Sequence, residues 1–106
     1  LWVAESAGEP IGCCGIYPTA GLPKGYAELV KFYINGKFRG KGLGKLLLEK
    51  CIASAYEFGF THLYIESLPA FSKAIAMYKS ADFQFLDKPL GNSGHNSCNV
   101  WMLKTL

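Results

Sequence analysis

No C-x-x-C pair occurs in this sequence: of its four cysteines, Cys13 and Cys14 are adjacent, Cys51 falls in a helical stripe and Cys98 in a late β-like run. That pattern argues against a bound metal or a disulfide framework and favours a reduced, cytoplasmic setting. Long apolar runs are absent as well. Nothing approaches the roughly 18 consecutive apolar residues of a membrane span, and the N-terminus lacks the ordered basic, apolar and small-residue regions of a signal peptide. A soluble protein with no membrane partner is expected. Charge is sparse, at a net +3 with eleven cations, yet Lys37, Arg39, Lys41 and Lys45 crowd into one short stretch. Such a cluster suits one polyanionic small molecule; a nucleic-acid partner would call for cations spread along a face with aromatics between them. Repeats and low-complexity segments are missing, and 106 residues, half of them hydrophobic and 14% aromatic, provide one core and one domain, 1–106. An initiating methionine is missing too, so a fragment or processed product is expected.

What the sequence does have is Arg39-Gly40-Lys41-Gly42-Leu43-Gly44-Lys45, three glycines and three cations between the end of a strand and an apolar helical run. Glycine lets the backbone turn and approach a ligand closely, successive N–H groups then converge on one anion, and a helix opening at Leu43 adds the positive end of its dipole. Two other phosphate loops are excluded. A P-loop requires G-x-x-x-x-G-K-[ST], but Arg39 stands five before Gly44 and Leu46 follows Lys45. A dinucleotide fingerprint requires G-x-G-x-x-G, and the spacing here is G-x-G-x-G.

Around that loop the patterning sets an order of elements. Leu1 to Glu5 and Ile11 to Tyr17 are β-like runs joined by a hairpin, and a turn from Pro18 to Gly25 leads into a third strand, Tyr26 to Ile34. Apolar residues Leu43, Leu47, Cys51, Ala55 and Phe58 keep helical spacing, with Gly59 as the stop. His62 to Ser67 is the next strand, parallel to Tyr26–Ile34 because a helix separates the two. Pro69 suits the first turn of a second helix carrying Phe71, Ala74, Ile75 and Tyr78 at i, i+3, i+4 and i+7. Phe83 and Phe85 alternate as a strand, Lys88 to Ser97 forms a polar loop, and Cys98 to Leu106 closes the chain. The fold class expected is α/β, a mixed sheet in the order βββ-α-β-α-ββ with the glycine loop at the carboxyl end of a central parallel pair, where such folds bind ligands.

The stretch Arg39 to Gly44 matches [RQ]-x-x-G-x-[GA], and with this order of elements it resembles the pyrophosphate loop of the GNAT N-acetyltransferases, which use acetyl-CoA. Ala74-Ile75-Ala76-Met77-Tyr78-Lys79-Ser80-Ala81-Asp82-Phe83 is similar to that family's A-I-x-L-Y-x-x-x-G-F. The resemblance runs from the family's second strand to its end, so its first strand and the two helices after it would precede Leu1. It implies an acetyl-CoA-dependent acyltransferase acting on a primary amine of a small molecule or protein, or, alternatively, a non-catalytic CoA-binding module. It further implies that Phe32, Tyr33 and Ile34 pair their main chain with the pantetheine arm, and that Arg39, Gly40, Lys41, Gly42, Leu43, Gly44 and Lys45 surround the pyrophosphate. A sheet that begins at Leu1 should present an unpaired edge, through which the chain either self-associates or was once continuous with a longer protein.

Acyl transfer to an amine needs a positioned thioester, a base for the amine proton and a group to meet the charge leaving on sulfur. Glu28, six residues before Ile34, stands at the spacing at which one branch of the family places its base. Alternation would group Glu28 with Val30, Phe32 and Ile34 on an apolar face, raising its pKa, while a bulge in this strand would change the facing of everything beyond it; the other reading is a glutamate at a sheet edge facing water. Tyr78 corresponds to the tyrosine that meets the departing thiolate in the family, and its place in the apolar stripe equally makes it a core tyrosine with its hydroxyl at the rim. Phe71 replaces a frequent asparagine, and Asp82 a glycine, at which a left-handed backbone is expected. His62 is read as structural, and His95 as a loop residue near the acceptor side. No cysteine has a paired histidine, so a covalent enzyme intermediate is not implied.

Overall fold

The runs rich in β-branched and aromatic residues become strands, and the 3.6-residue stripes become helices. The computed structural model describes residues 2–6, 8–19, 21–35, 42–90 and 99–106. Its elements are β1 (Trp2–Ser6), β2 (Glu9–Tyr17), β3 (Tyr26–Ile34), α1 (Leu43–Glu57), β4 (His62–Ser67), α2 (Ser72–Ser80), β5 (Gln84–Leu86) and β6 (Val100–Thr105). They follow the order expected from patterning. Among the described residues six strands make one sheet in the order β1-β2-β3-β4-β6-β5, with β1 outermost of them. Only β3 and β4 run parallel, because α1 carries the chain back between them.

Helix α1 buries Leu47, Leu48, Cys51 and Ala55 on the sheet, against Cys14, Ala27, Leu29, Ile34, Leu63 and Ile65. Both helices end the same way. After α1 the N–H of Gly59 (φ 85°) donates to Tyr56 O and that of Phe60 to Ala55 O; after α2 the N–H of Asp82 (φ 71°) donates to Lys79 O and that of Phe83 to Tyr78 O. These paired bonds satisfy carbonyls that a helix end leaves open. Asp82 therefore adopts the left-handed backbone expected of it.

Four local expectations are corrected. Pro69 is not in α2: Phe71 N–H donates to Leu68 O at 3.0 Å, so Pro69 occupies a turn ahead of the helix, at the second position that proline favours. Phe71 is then the exposed N-cap of α2 and no part of its buried stripe. Phe58 likewise caps α1 and is exposed. Phe83 lies before β5 and is buried, whereas Phe85 sits on an outermost strand and is exposed, so the pair does not make an alternating strand with one buried face.

The register of β2 on β3 carries the irregularity that matters most. Cys13 pairs with Tyr33 and Gly15 with Val30, so two steps along β2 face three along β3. The extra residue makes β3 a bulged strand. Before it, Ala27 and Leu29 face the helices; after it, Phe32 and Ile34 do. Glu28 is thus on the opposite face from Phe32 and Ile34, which corrects the grouping that unbroken alternation suggests.

Candidate active site

Three rungs hold β3 to β4: Tyr26 with His62, Ala27 with Leu63 and Glu28 with Tyr64. There the ladder stops. Beyond Glu28, β3 stays with β2 as far as Ile34, and β4 stays with β6 as far as Ser67. Two neighbouring strands that each follow an outer partner open a gap between them, and the gap begins at Glu28.

Glu28 is 2% exposed, which removes the reading of a carboxylate facing water. Thr19 Oγ1 donates a 2.7 Å hydrogen bond to Glu28 Oε1. Tyr64, beside Glu28 on the ladder, is also fully buried; its hydroxyl donates to Glu66 Oε2 at 2.7 Å and accepts from Leu90 N–H at 3.1 Å. Burial, the bond to Glu66 and the nearby carboxylates of Glu66 and Glu28 push the Tyr64 hydroxyl far above the ordinary tyrosine range, so it remains a donor. This face of the fork is therefore polar and hydrogen-bonded.

On the helical face, Tyr78 of α2 meets Phe32 of β3 edge-on, ring centres 5.9 Å apart, and leans on Phe83 at 5.8 Å. Tyr78 is 5% exposed, and its hydroxyl has no hydrogen-bond partner among the described residues. Since none of their buried polar side-chain atoms is left unsatisfied, that hydroxyl is the end of the ring that solvent touches. Burial, with Cys14 nearby, raises it well above its ordinary value and keeps it protonated. Behind it, Cys14 and Cys51 are fully buried free thiols. The hydrogen bond with Cys51, reinforced by burial, holds the Cys14 thiol far above its ordinary range, so it offers no thiolate.

Helix α1 begins at the same end of the sheet. Its N-cap is Gly42, in a left-handed conformation at φ 80°, with no capping side chain and no acidic residue in the first turn. Exposed Lys45 stands there instead. A cation at an uncapped helix start opposes the dipole, an arrangement that an anion would relieve. A Cβ on Gly42 would meet no atom within 4 Å, whereas one on Gly44 would touch Met77 Sδ and Phe32 Cζ at 3.5 Å. Gly42 fronts open space, and Gly44 is where the start of α1 passes close to α2 and β3. Tyr33 is exposed and Ile34 buried; Arg39, Gly40, Lys41, His95 and Cys98 lie outside the described residues.

The sheet thus brings Glu28, Tyr78, Phe32 and the start of α1 around one gap. Sequence reasoning had not singled out Thr19 or Tyr64. Thr19 is one hydroxyl residue in a turn, and the register that sets Tyr64 beside Glu28 has no local sequence signal. Among the described residues no cluster of His, Cys, Asp or Glu suited to a metal ion is found, and no helix is long and apolar enough to cross a membrane.

A fold with one parallel pair that parts to form a gap, and a glycine-started helix aimed at that gap, defines a class. Residues 1–83 match the model of the acetyltransferase (GNAT) family, and the chain belongs to that family. It is 40% identical over 105 residues to the "Uncharacterized N-acetyltransferase YjgM" of Escherichia coli (strain K12), covering 99% of this chain and 63% of that relative's length. Among solved structures it resembles a GNAT acetyltransferase of Staphylococcus aureus MU50 at TM-score 0.86 and 22% identity, covering 99% of this chain and 66% of that one. It also resembles a GNAT acetyltransferase of Elizabethkingia anophelis solved with acetyl-CoA bound, at TM-score 0.76 and 20% identity, covering 98% and 74%. At those identities the two structures speak for the fold.

Proposed function

We propose that this protein transfers the acetyl group of acetyl-CoA directly to a primary amine, in the reducing cytoplasm that its cysteine pattern suits. The observation that carries this reading is the gap between β3 and β4, with Glu28 buried on one face and the Tyr78 hydroxyl on the other. The main chain of Phe32, Tyr33 and Ile34 lines one side of the gap and receives the pantetheine arm. The N–H groups at Gly42, Leu43, Gly44 and Lys45, with the Lys45 ammonium, receive the pyrophosphate; Arg39, Gly40 and Lys41 join them by resemblance to the family loop.

The division of faces then gives each residue a task. Glu28, ionised, takes a proton from the acceptor amine as nitrogen attacks the thioester carbonyl. Tyr78, held protonated, gives its proton to the thiolate as the carbon–sulfur bond breaks. Phe32 and the Cys14–Cys51 pair keep the Tyr78 ring in place and water away from it. Acetyl passes directly to nitrogen, since no cysteine has a paired histidine at a recognisable spacing to make it a carrier.

The test is CoA release from acetyl-CoA across a panel of primary amines, beside CoA binding measured alone. Amine-dependent release supports the reading. Tight CoA binding with no release for any amine would mean a non-catalytic CoA-binding module, and release that does not depend on an amine would mean hydrolysis.

A further inference from the structure

Glu28 is the only charged side chain among the described residues that the sheet encloses almost completely. A carboxylate deprived of water must be met by donors or it takes up a proton, so whatever donates to Glu28 decides whether it can act as a base. Thr19 donates at 2.7 Å, and it comes from neither of the two strands that form the fork. It stands just after β2, where its N–H donates to Tyr17 O at 3.0 Å and its own carbonyl accepts from Leu22 N–H at 3.3 Å. Tyr17 is in turn the ladder partner of Glu28. The turn that follows β2 therefore delivers a hydroxyl to the carboxylate from a backbone fixed at both sides. Threonine suits the task because its branched Cβ restricts χ1 and so aims the hydroxyl.

We propose that Thr19 is a positioning residue of this enzyme, orienting the Glu28 carboxylate toward the gap and favouring its ionised form, so that the base is ready before the amine arrives. The proposal rests on Glu28 being the base. Among the described residues, other titratable groups near Glu28 on this face are Tyr64 on β4, Tyr17 on β2, the Tyr26 and His62 pair two residues back along the ladder, and Glu66 beyond Tyr64. Tyr64 has committed its one proton to Glu66, and Tyr26 and His62 are stacked on each other at 4.2 Å. Thr19 thus aims a hydroxyl directly at the carboxylate.

The experiment compares Thr19→Val, which keeps the shape and removes the donor, with Thr19→Ser, which keeps the donor, and with Glu28→Gln. Two quantities are read: the titration midpoint of the Glu28 side-chain carboxyl by carbon-13 NMR, which needs no turnover, and kcat/KM against pH. A donor favours the ionised form, so its loss raises the midpoint, and a base that works ionised then loses rate first at low pH. Thr19→Val should raise the midpoint and move the acidic limb upward by about one pH unit, with Thr19→Ser close to the parent. An unmoved midpoint in folded Thr19→Val overturns the proposal even if Glu28 is the base. A limb that stays in place while the rate falls equally at every pH would make Thr19 merely structural. An acidic limb that survives in Glu28→Gln overturns the reading of Glu28 itself, and the role of Thr19 with it.

Discussion

The two ends of the β3–β4 pair are built on different terms. At the closed end Tyr26 stacks on His62, Thr61 N–H donates to Gly25 O at 2.7 Å, and Leu106 N–H donates to Thr61 O at 2.9 Å, tying the residue after β6 into the same corner. At the open end the ladder is over, α1 starts without a cap, and a lysine stands where an acid would be favourable. Groups at the closed end satisfy one another. Those at the open end are left so that an anionic, extended ligand would satisfy them, and under the proposed function local stability is given up where that ligand would bind. The closed end fixes where the fork begins, and so fixes Glu28 at its root.

If that division is right, substitutions at the two ends should separate chemistry from stability. The largest effect is expected for Glu28→Gln, which should lower kcat/KM by about 10²- to 10⁴-fold and remove the acidic limb of its pH profile. Tyr78→Phe comes next, lowering kcat by roughly ten- to a hundredfold with CoA affinity nearly unchanged, as single-turnover rates beside CoA titration would show. Because burial holds the Tyr78 hydroxyl above its ordinary pKa, its ionisation should cause no loss of rate below about pH 10 in the parent. A tyrosine-dependent fall nearer neutrality would break the assignment.

Smaller effects should sharpen the contrast. Gly25→Ala, at φ 87° with an added Cβ only 2.9 Å from Thr61 Oγ1, combines backbone strain with a clash. It should cost about 2 kcal/mol of unfolding free energy in urea and leave CoA affinity per folded molecule alone. Gly42→Ala has the same strain and no clash, at φ 80° in open space. Its loss should be nearer 1 kcal/mol, with CoA bound about tenfold more weakly. Equal CoA affinities in the two folded variants would erase the distinction between the ends.

Much of this was legible in the sequence because local chemistry carried it. Gly59 stops α1 where its apolar stripe ends, and Asp82 turns left-handed after α2 where the resemblance has a glycine. The order of elements and the parallel pair followed from a helix lying between two strands. What was not legible was set by pairing. The bulge falls between Val30 and Tyr33 with no glycine or proline to mark it, because it exists only in the register of β3 on β2. Pro69 fits a helix start and a turn equally well by composition, and a hydrogen bond to Leu68 decides for the turn. The Thr19 contact joins a turn to a strand through side chains alone. Glu28 and Tyr78 were picked out by resemblance; the opposite faces they occupy were not.

The bulge makes β3 behave like a sentence with one letter inserted: everything after it is out of phase with everything before. One continuous strand thereby serves two compartments, giving Glu28 to one side of the sheet and Phe32 to the other. Phase, unlike side-chain chemistry, is not conserved by like-for-like substitution, nor lost by it. It changes only with length. Between Val30 and Tyr33 a change of residue is a matter of degree, while loss of Lys31 would absorb the bulge: two steps of β3 would then face two of β2, and a regular strand would keep Phe32 and Ile34 on the side they already face.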